Sequence, residues 1–124
     1  AQAEWLSIVP NTDTALMLGI AHVLATEKLA DENFLFTYCT GYDRFRAYLM
    51  GESDGTPKDA AWAARICDLP QERIVDLALR MATSRTTISL GWAVQRCDHG
   101  EQPCWMLVTL AAMLGQIGRM SGKV

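Results

Sequence analysis

At 124 residues and a net charge of −3, the chain has room for one domain or a piece of a larger one, not for two independent cores. Half of its residues are hydrophobic and a fifth charged, which excludes the composition of a disordered chain, and its 11 basic residues nowhere gather into a phosphate-tracking stripe, which argues against a nucleic-acid partner. The 4 cysteines, at positions 39, 67, 97 and 104, form no CxxC pair and no dense scaffold, so reduced, partly buried thiols are expected.

Ala1 to Trp5 shows neither a basic n-region nor an apolar h-region, so no secretory signal is visible there. After Pro10, the residues Asn11, Thr12 and Asp13 are all good N-caps, and Leu16, Ile20, Val23 and Leu24 follow at helical spacing, which predicts a helix from about Asp13 to Lys28. Met17, Leu18 and Ala21 narrow its polar face, so it should be covered on most sides. Asp31 is placed to cap a short helix holding Phe34, Leu35 and Tyr38, and Tyr42 to Met50 repeats the helical spacing, giving surface helices around an aromatic cluster. Gly51 to Pro57 is rich in turn formers and divides the chain without making two domains. Alanine-rich Lys58 to Ile66 is predicted helical, and Pro70 suits the first turn of a helix with the stripe Ile74, Leu77, Ala78, Met81 and Ala82.

The pattern then changes. Thr86 to Leu90 is short, rich in β-branched residues and stopped by Gly91, as a buried strand would be. Trp92 to Gln102 is polar and irregular and leads to an apolar helix from about Pro103 to Leu114, closed by Gly115 and Gly118. The run from Trp105 to Leu114 is too short for a bilayer, which needs about 20 residues, so no membrane span is expected. The predicted fold class is therefore α/β: a mostly helical segment with one clear strand at 86–90. A lone strand leaves its backbone donors and acceptors without partners, so the sheet must be completed by parts of a parent chain not present here, or else 86–90 takes another conformation within a helical bundle.

In open parallel α/β structures ligands bind in the loops beyond the carboxyl ends of the strands, which points to residues 91–102. Gly91 allows close backbone approach, Trp92 offers a stacking face, and Arg96 offers a planar donor fork, a set suited to a large heteroaromatic anion. The alternative is that Trp92 fills core and Arg96 pairs with a carboxylate such as Glu101. Cys97, His99 and Cys104 match no common zinc spacing and lack a fourth ligand nearby, and no nucleophile motif accompanies His99 as a base. His22, inside the first helix, is expected to be a packing residue. Asn11, Thr12 and Asp13 are above all a helix cap, although Asp at a helix end can also accept from the N–H groups of a guanine-like edge.

Several stretches carry a resemblance to a known family: Pro10 to His22, Tyr38 to Phe45, Tyr48 to Gly55, Lys58 to Ala64, Gly91-Trp92 with Gln95-Arg96, His99 to Gln102, and Trp105 to Gly118. In order and over nearly the whole chain, they resemble the dimethyl sulfoxide reductase family of molybdenum enzymes, nearest its reductases of trimethylamine N-oxide, dimethyl sulfoxide and biotin sulfoxide. The resemblance implies an internal segment of a much longer enzyme, from a central α/β domain. It implies a molybdenum cofactor carried by two molybdopterin guanine dinucleotides, and a small S-oxide or N-oxide as substrate. By position, Asn11, Thr12 and Asp13 match a tripeptide that contacts a guanine dinucleotide, and Trp92, Ala93 and Arg96 match positions in a loop that touches the pterin.

By the resemblance, the family's serine, cysteine or selenocysteine ligand to molybdenum lies upstream of the matching region, and its substrate-lining aromatic residues are absent from this segment. No catalytic or metal-binding residue is therefore assigned here, and the isolated chain is expected to hold no cofactor and to be inactive. Cys97 and Asp98 depart from the family pattern, and residues 119–124 replace a glycine-rich turn, by divergence or at a boundary. The family leaves the compartment open between periplasm and cytoplasm, with the periplasm favoured. The competing reading is a stand-alone helical module that binds another protein through surface left bare by the missing sheet.

Overall fold

The computed structural model describes residues 2–118. In chain order these form α1 (Asp13–Thr26), α2 (Glu32–Tyr38), α3 (Tyr42–Leu49), α4 (Ala60–Cys67), α5 (Gln71–Thr83), a 3-10 helix (Trp92–Arg96) and α6 (Glu101–Leu114). Helix α1 has little polar face: Met17, Leu18, Gly19, Ile20, Ala21, Val23, Leu24 and Ala25 are all buried. A helix apolar on most sides has to be surrounded, and α1 packs against α4, α5 and α6 at once, with α3 touching it more lightly. It stops at Thr26, short of the expected Lys28, which lies past its end with a positive φ of 56°.

The approach of α1 to α4 is set by one residue. A Cβ at Gly19 would stand 2.5 Å from the Cβ of Ala63 and 3.5 Å from Ile74, so only glycine allows the two backbones this close. Gly19 lies near the start of α4, while Thr12 lies against its last residue, Cys67, so the helices run in opposite directions. Asp59, not Lys58, opens α4, its carboxylate accepting from the Trp62 N–H at 2.8 Å.

Lys58 was expected as the first residue of that helix, yet it is buried beneath the 51–57 turn. Its ammonium donates to both oxygens of Asp54 (2.9 and 2.7 Å) and to the carbonyls of Thr56 and Tyr48, and it stands 4.1 Å from the centre of the Tyr48 ring. A buried cation needs such partners, and these make the turn-rich stretch a folded loop rather than a linker. The Lys58 hydrogen bonds, followed by the Thr56 N–H, hold the Asp54 carboxyl below its usual range.

Helix α5 is one-sided, with Ile74 and Ala78 buried and Leu77, Met81 and Ala82 half-buried beside them. On its outer side Glu4 bridges Arg73 (2.7 Å) and Arg80 (3.0 Å), laying the N-terminal segment along the helix. Asp31 caps α2 by accepting from the Phe34 N–H at 2.9 Å, while its own N–H donates to the Met113 carbonyl at 2.7 Å. That couples the start of α2 to the end of α6. Phe34 and Tyr38 stack with centroids 5.1 Å apart, and Tyr42 and Phe45 pack on the core beside Leu35 and Leu49, so the aromatic cluster forms.

Two expectations need correction. Helix α6 begins at Glu101, not Pro103, and Pro103 sits in its first turn, where a missing N–H costs nothing. Residues 86–90 form no strand; among the described residues the molecule is mostly helical and has no β-ladder. A strand exists by pairing, and no neighbouring strand lies beside 86–90 among the described residues; a side chain takes only the first N–H of the stretch. The Thr86 N–H donates to Gln116 Oε1 (2.8 Å), and Gln116 Nε2 donates to the Ser84 carbonyl (2.9 Å). The expectation for residues 119–124 lies outside the described residues.

Candidate functional site

The segment before α1 is built differently from the expected cap. Thr12 occupies the N-cap position without a side-chain cap hydrogen bond; its hydroxyl turns back and donates to the Val9 carbonyl at 2.6 Å. Asp13 lies one residue inside the helix, and Asn11 adopts a left-handed φ of 68°, a conformation asparagine tolerates better than most residues. Of the expected cap, the position holds and the side-chain bond does not: Thr12 stands at the N-cap, but its hydroxyl oxygen accepts from none of the first-turn N–H groups.

Those N–H groups, together with the half-buried Asp13 carboxylate and the exposed Asn11 amide, form a compact set of donors and acceptors at the positive end of a 14-residue helix. A carboxylate acceptor beside an amide and backbone donors can pair with a polar edge that presents both N–H and C=O groups. Cys67, which the sequence gave no reason to single out, is brought here by the fold across 55 positions. Its thiol donates to the Thr12 carbonyl at 3.5 Å and its carbonyl accepts from the Val9 N–H at 3.1 Å. Burial pushes the Cys67 thiol above its ordinary pKa, with the Thr12 hydrogen bond opposing and the Asp13 carboxylate adding to the rise.

The second segment is the 3-10 helix. Here Trp92 is 81% exposed, and Arg96 is exposed and makes no ion pair with Glu101 among the described residues. Ala93 is exposed beside them. A shallow hollow of about 240 Å³ lies under Trp92, lined by Leu90, Gly91, Gln95 and Cys104, and a Cβ on Gly91 would meet nothing within 4 Å. The indole face points outward, and the Arg96 guanidinium makes no hydrogen bond or ion pair among the described residues.

The loop behind them closes tightly. Gly100 is buried so close to Gln95 that a Cβ would fall 2.5 Å from its carbonyl oxygen, and His99 takes a φ of 55° while pairing with Asp98 at 3.0 Å in the open. No hydrogen bond or ion pair joins residues 11–13 to residues 92–96 among those described.

The remaining candidates carry less chemistry. No three His, Cys, Asp or Glu side chains converge among the described residues. The cysteines stand as free thiols, Cys67 buried, Cys39 half-buried, Cys97 and Cys104 exposed. His22 is half-buried in α1, its pKa lowered by desolvation with Asp59 opposing, which suits a packing residue. No helix among the described residues is long and apolar enough to cross a membrane.

Comparison with known proteins bears on all of these features. A family model for molybdopterin oxidoreductases matches residues 1–124. The chain is 57% identical over 120 residues to a dimethyl sulfoxide/trimethylamine N-oxide reductase of Cereibacter sphaeroides, covering 97% of this chain and 15% of that protein. It is 56% identical over 121 residues to a trimethylamine-N-oxide reductase of Salmonella typhi, covering 98% and 14%. Against trimethylamine-N-oxide reductase 1 of Escherichia coli K12 the figures are 53% over 117 residues, 94% and 14%. The chain thus spans about 15% of the length of the curated relatives it matches. Among solved structures, acetylene hydratase from Pelobacter acetylenicus shares the fold over 92% of this chain and 15% of its own, with a TM-score of 0.80 at 22% identity.

Proposed function

The chain belongs to the molybdopterin oxidoreductases, and from that premise we propose that it is a cofactor-contacting segment of a longer polypeptide that reduces S-oxides or N-oxides. The observation that carries this reading is the 57% identity, over 97% of the chain, to a dimethyl sulfoxide/trimethylamine N-oxide reductase. In this reading molybdenum is held by two molybdopterin guanine dinucleotides. When bound, that cofactor supplies the two-electron chemistry that removes oxygen from the oxide and, with two protons, releases it as water.

The chain's own residues bind and orient. Asp13 accepts from the N–H edge of a guanine, Asn11 supplies an amide beside it, and Thr12 fixes the backbone between them through its bond to Val9. Trp92 stacks on the pterin side, Arg96 donates to ring or phosphate oxygens, and the small Ala93 leaves room between them. The metal ligand and the substrate-lining groups lie in other parts of the polypeptide, so the isolated chain is inactive.

The rest of that polypeptide is also the partner for two unfinished features. Thr86, Ile88 and Leu90 are half-buried while Thr87 and Ser89 are exposed, the period of a strand, and the flanking Ser84 and Gly91 have extended backbone angles. Residues 86–90 therefore complete a sheet when neighbouring strands are supplied, which makes the whole domain α/β. Trp5, Phe36 and Trp105, which are exposed here, pack against the same missing parts.

The test is to produce the longer polypeptide and measure molybdenum, guanine content and turnover of trimethylamine N-oxide and dimethyl sulfoxide. Two guanines per molybdenum and reductase activity are expected, with neither in the 124-residue chain. A longer polypeptide without molybdenum or activity overturns the function; full occupancy and turnover in Asp13→Asn, Trp92→Phe and Arg96→Lys together overturn the site.

A further inference from the structure

We infer that Cys67 is a positioning residue for the guanine-reading carboxylate: from the end of α4 it fixes the backbone of residues 9–12 and thereby sets where Asp13 points. The inference rests on the proposed role of Asp13 and adds to it a residue outside the tripeptide. Cys67 is fully buried, and its carbonyl and thiol are both spent on this one segment, the carbonyl on the Val9 N–H at 3.1 Å and the thiol on the Thr12 carbonyl at 3.5 Å. The same Thr12 carbonyl accepts the first hydrogen bond of α1, from the Leu16 N–H at 3.1 Å, so the thiol acts on the point at which α1 begins.

Between the two anchored residues sits Asn11 in its left-handed conformation, which persists only where the surroundings hold it. The Thr12 hydroxyl closes the turn onto Val9 at 2.6 Å. Residues 9–12 are therefore bonded from both sides, while Asp13, the next residue, is left to face a ligand. A thiol in this place has to stay protonated to donate, and burial with a carboxylate nearby keeps it so.

The experiment uses the cofactor-free form of the longer polypeptide and two probes, guanosine diphosphate and inosine diphosphate. The second lacks the amino group that a carboxylate would accept from. Wild type is expected to bind the guanosine probe about tenfold tighter, the worth of a hydrogen bond to a charged acceptor. Cys67→Ala, and Cys67→Val, which refills the space without a donor, are expected to lower that ratio by roughly threefold, the scale of one weak hydrogen bond. Cys67→Ser, which keeps a donor, restores it.

Ile74→Val, a truncation of the same buried core, serves as a control for general loosening and leaves the ratio at its wild-type value. A wild-type ratio in Cys67→Ala or, should that variant not fold, in Cys67→Val overturns the inference while the role of Asp13 stands. So does an equal fall in Ile74→Val. Equal binding of the two probes by wild type overturns the role of Asp13 itself, and the inference with it.

Discussion

Residues 9–13 are fastened by a helix end 55 positions away, through the Val9–Cys67 and Cys67–Thr12 bonds, whereas Trp92–Arg96 is fastened by its own neighbours, Val94 N–H to Gly91 carbonyl at 3.3 Å and Gly100 N–H to Cys97 carbonyl at 3.0 Å. The first segment inherits its geometry from the core before any ligand arrives. The second offers a stacking face and a donor fork on a locally closed turn and leaves their final placement to whatever covers them.

The comparison is broken most severely at Gly19. Gly19→Val drives a branched side chain into Ala63, and α4 carries Cys67, so the damage should travel to residues 9–13 and spare residues 92–96. A loss of about 3 kcal/mol is expected in urea unfolding of the longer polypeptide. Amide exchange should accelerate more at Val9 than at Val94. Equal acceleration at both would mean that the two segments are held alike.

A smaller effect is expected at the other end of α4. Lys58→Met keeps the buried stem but strips the donor from the Tyr48 and Thr56 carbonyls, costing about 2 kcal/mol by the same measurement. The pH dependence has a definite sign: Asp54 has a folded-state pKa below its unfolded value, so its contribution is present above the unfolded carboxylate range and is lost as pH falls through the folded value. Asp54→Asn should flatten that acid limb of an unfolding-against-pH curve. An unchanged acid limb would remove Asp54 from the account.

The smallest stability change belongs to the exposed segment. Trp92→Ala should shift stability by no more than about 0.5 kcal/mol, since its side chain covers almost nothing, yet it should lower cofactor content of the longer polypeptide. A variant that unfolds readily but retains cofactor would reverse the contrast between the two segments.

What the sequence disclosed follows the range of the interactions involved. Helices were legible because their period is local: α1, α5 and the aromatic helices fall where the spacing puts them, within two residues at the end of α1. The strand at 86–90 was not, because pairing needs residues from elsewhere, and no described residue forms a ladder with it. The tripeptide's residue types predicted a cap, and Thr12 does take the N-cap position, but its hydroxyl bonds the Val9 carbonyl and no first-turn N–H, a choice its residue type does not dictate. Lys58 looked like the first turn of a helix because burial of a cation depends on Asp54 and Thr56 folding back over it. Cys67 carried no signal at all, as its partners lie far along the chain.

The narrow gap between Gly19 and Ala63 also shapes how this protein can drift over generations. One methyl group fits between the two helices, and the geometry does not dictate which helix owns it. Gly19→Ala gains helix propensity of about 1 kcal/mol but loses it to overlap. Coupled with Ala63→Gly, the same change moves the methyl across the interface and relieves the overlap. The two positions are thus free to exchange as a pair and constrained singly, so a lineage that crosses from one arrangement to the other has to pass through a weakened intermediate or change both sites together.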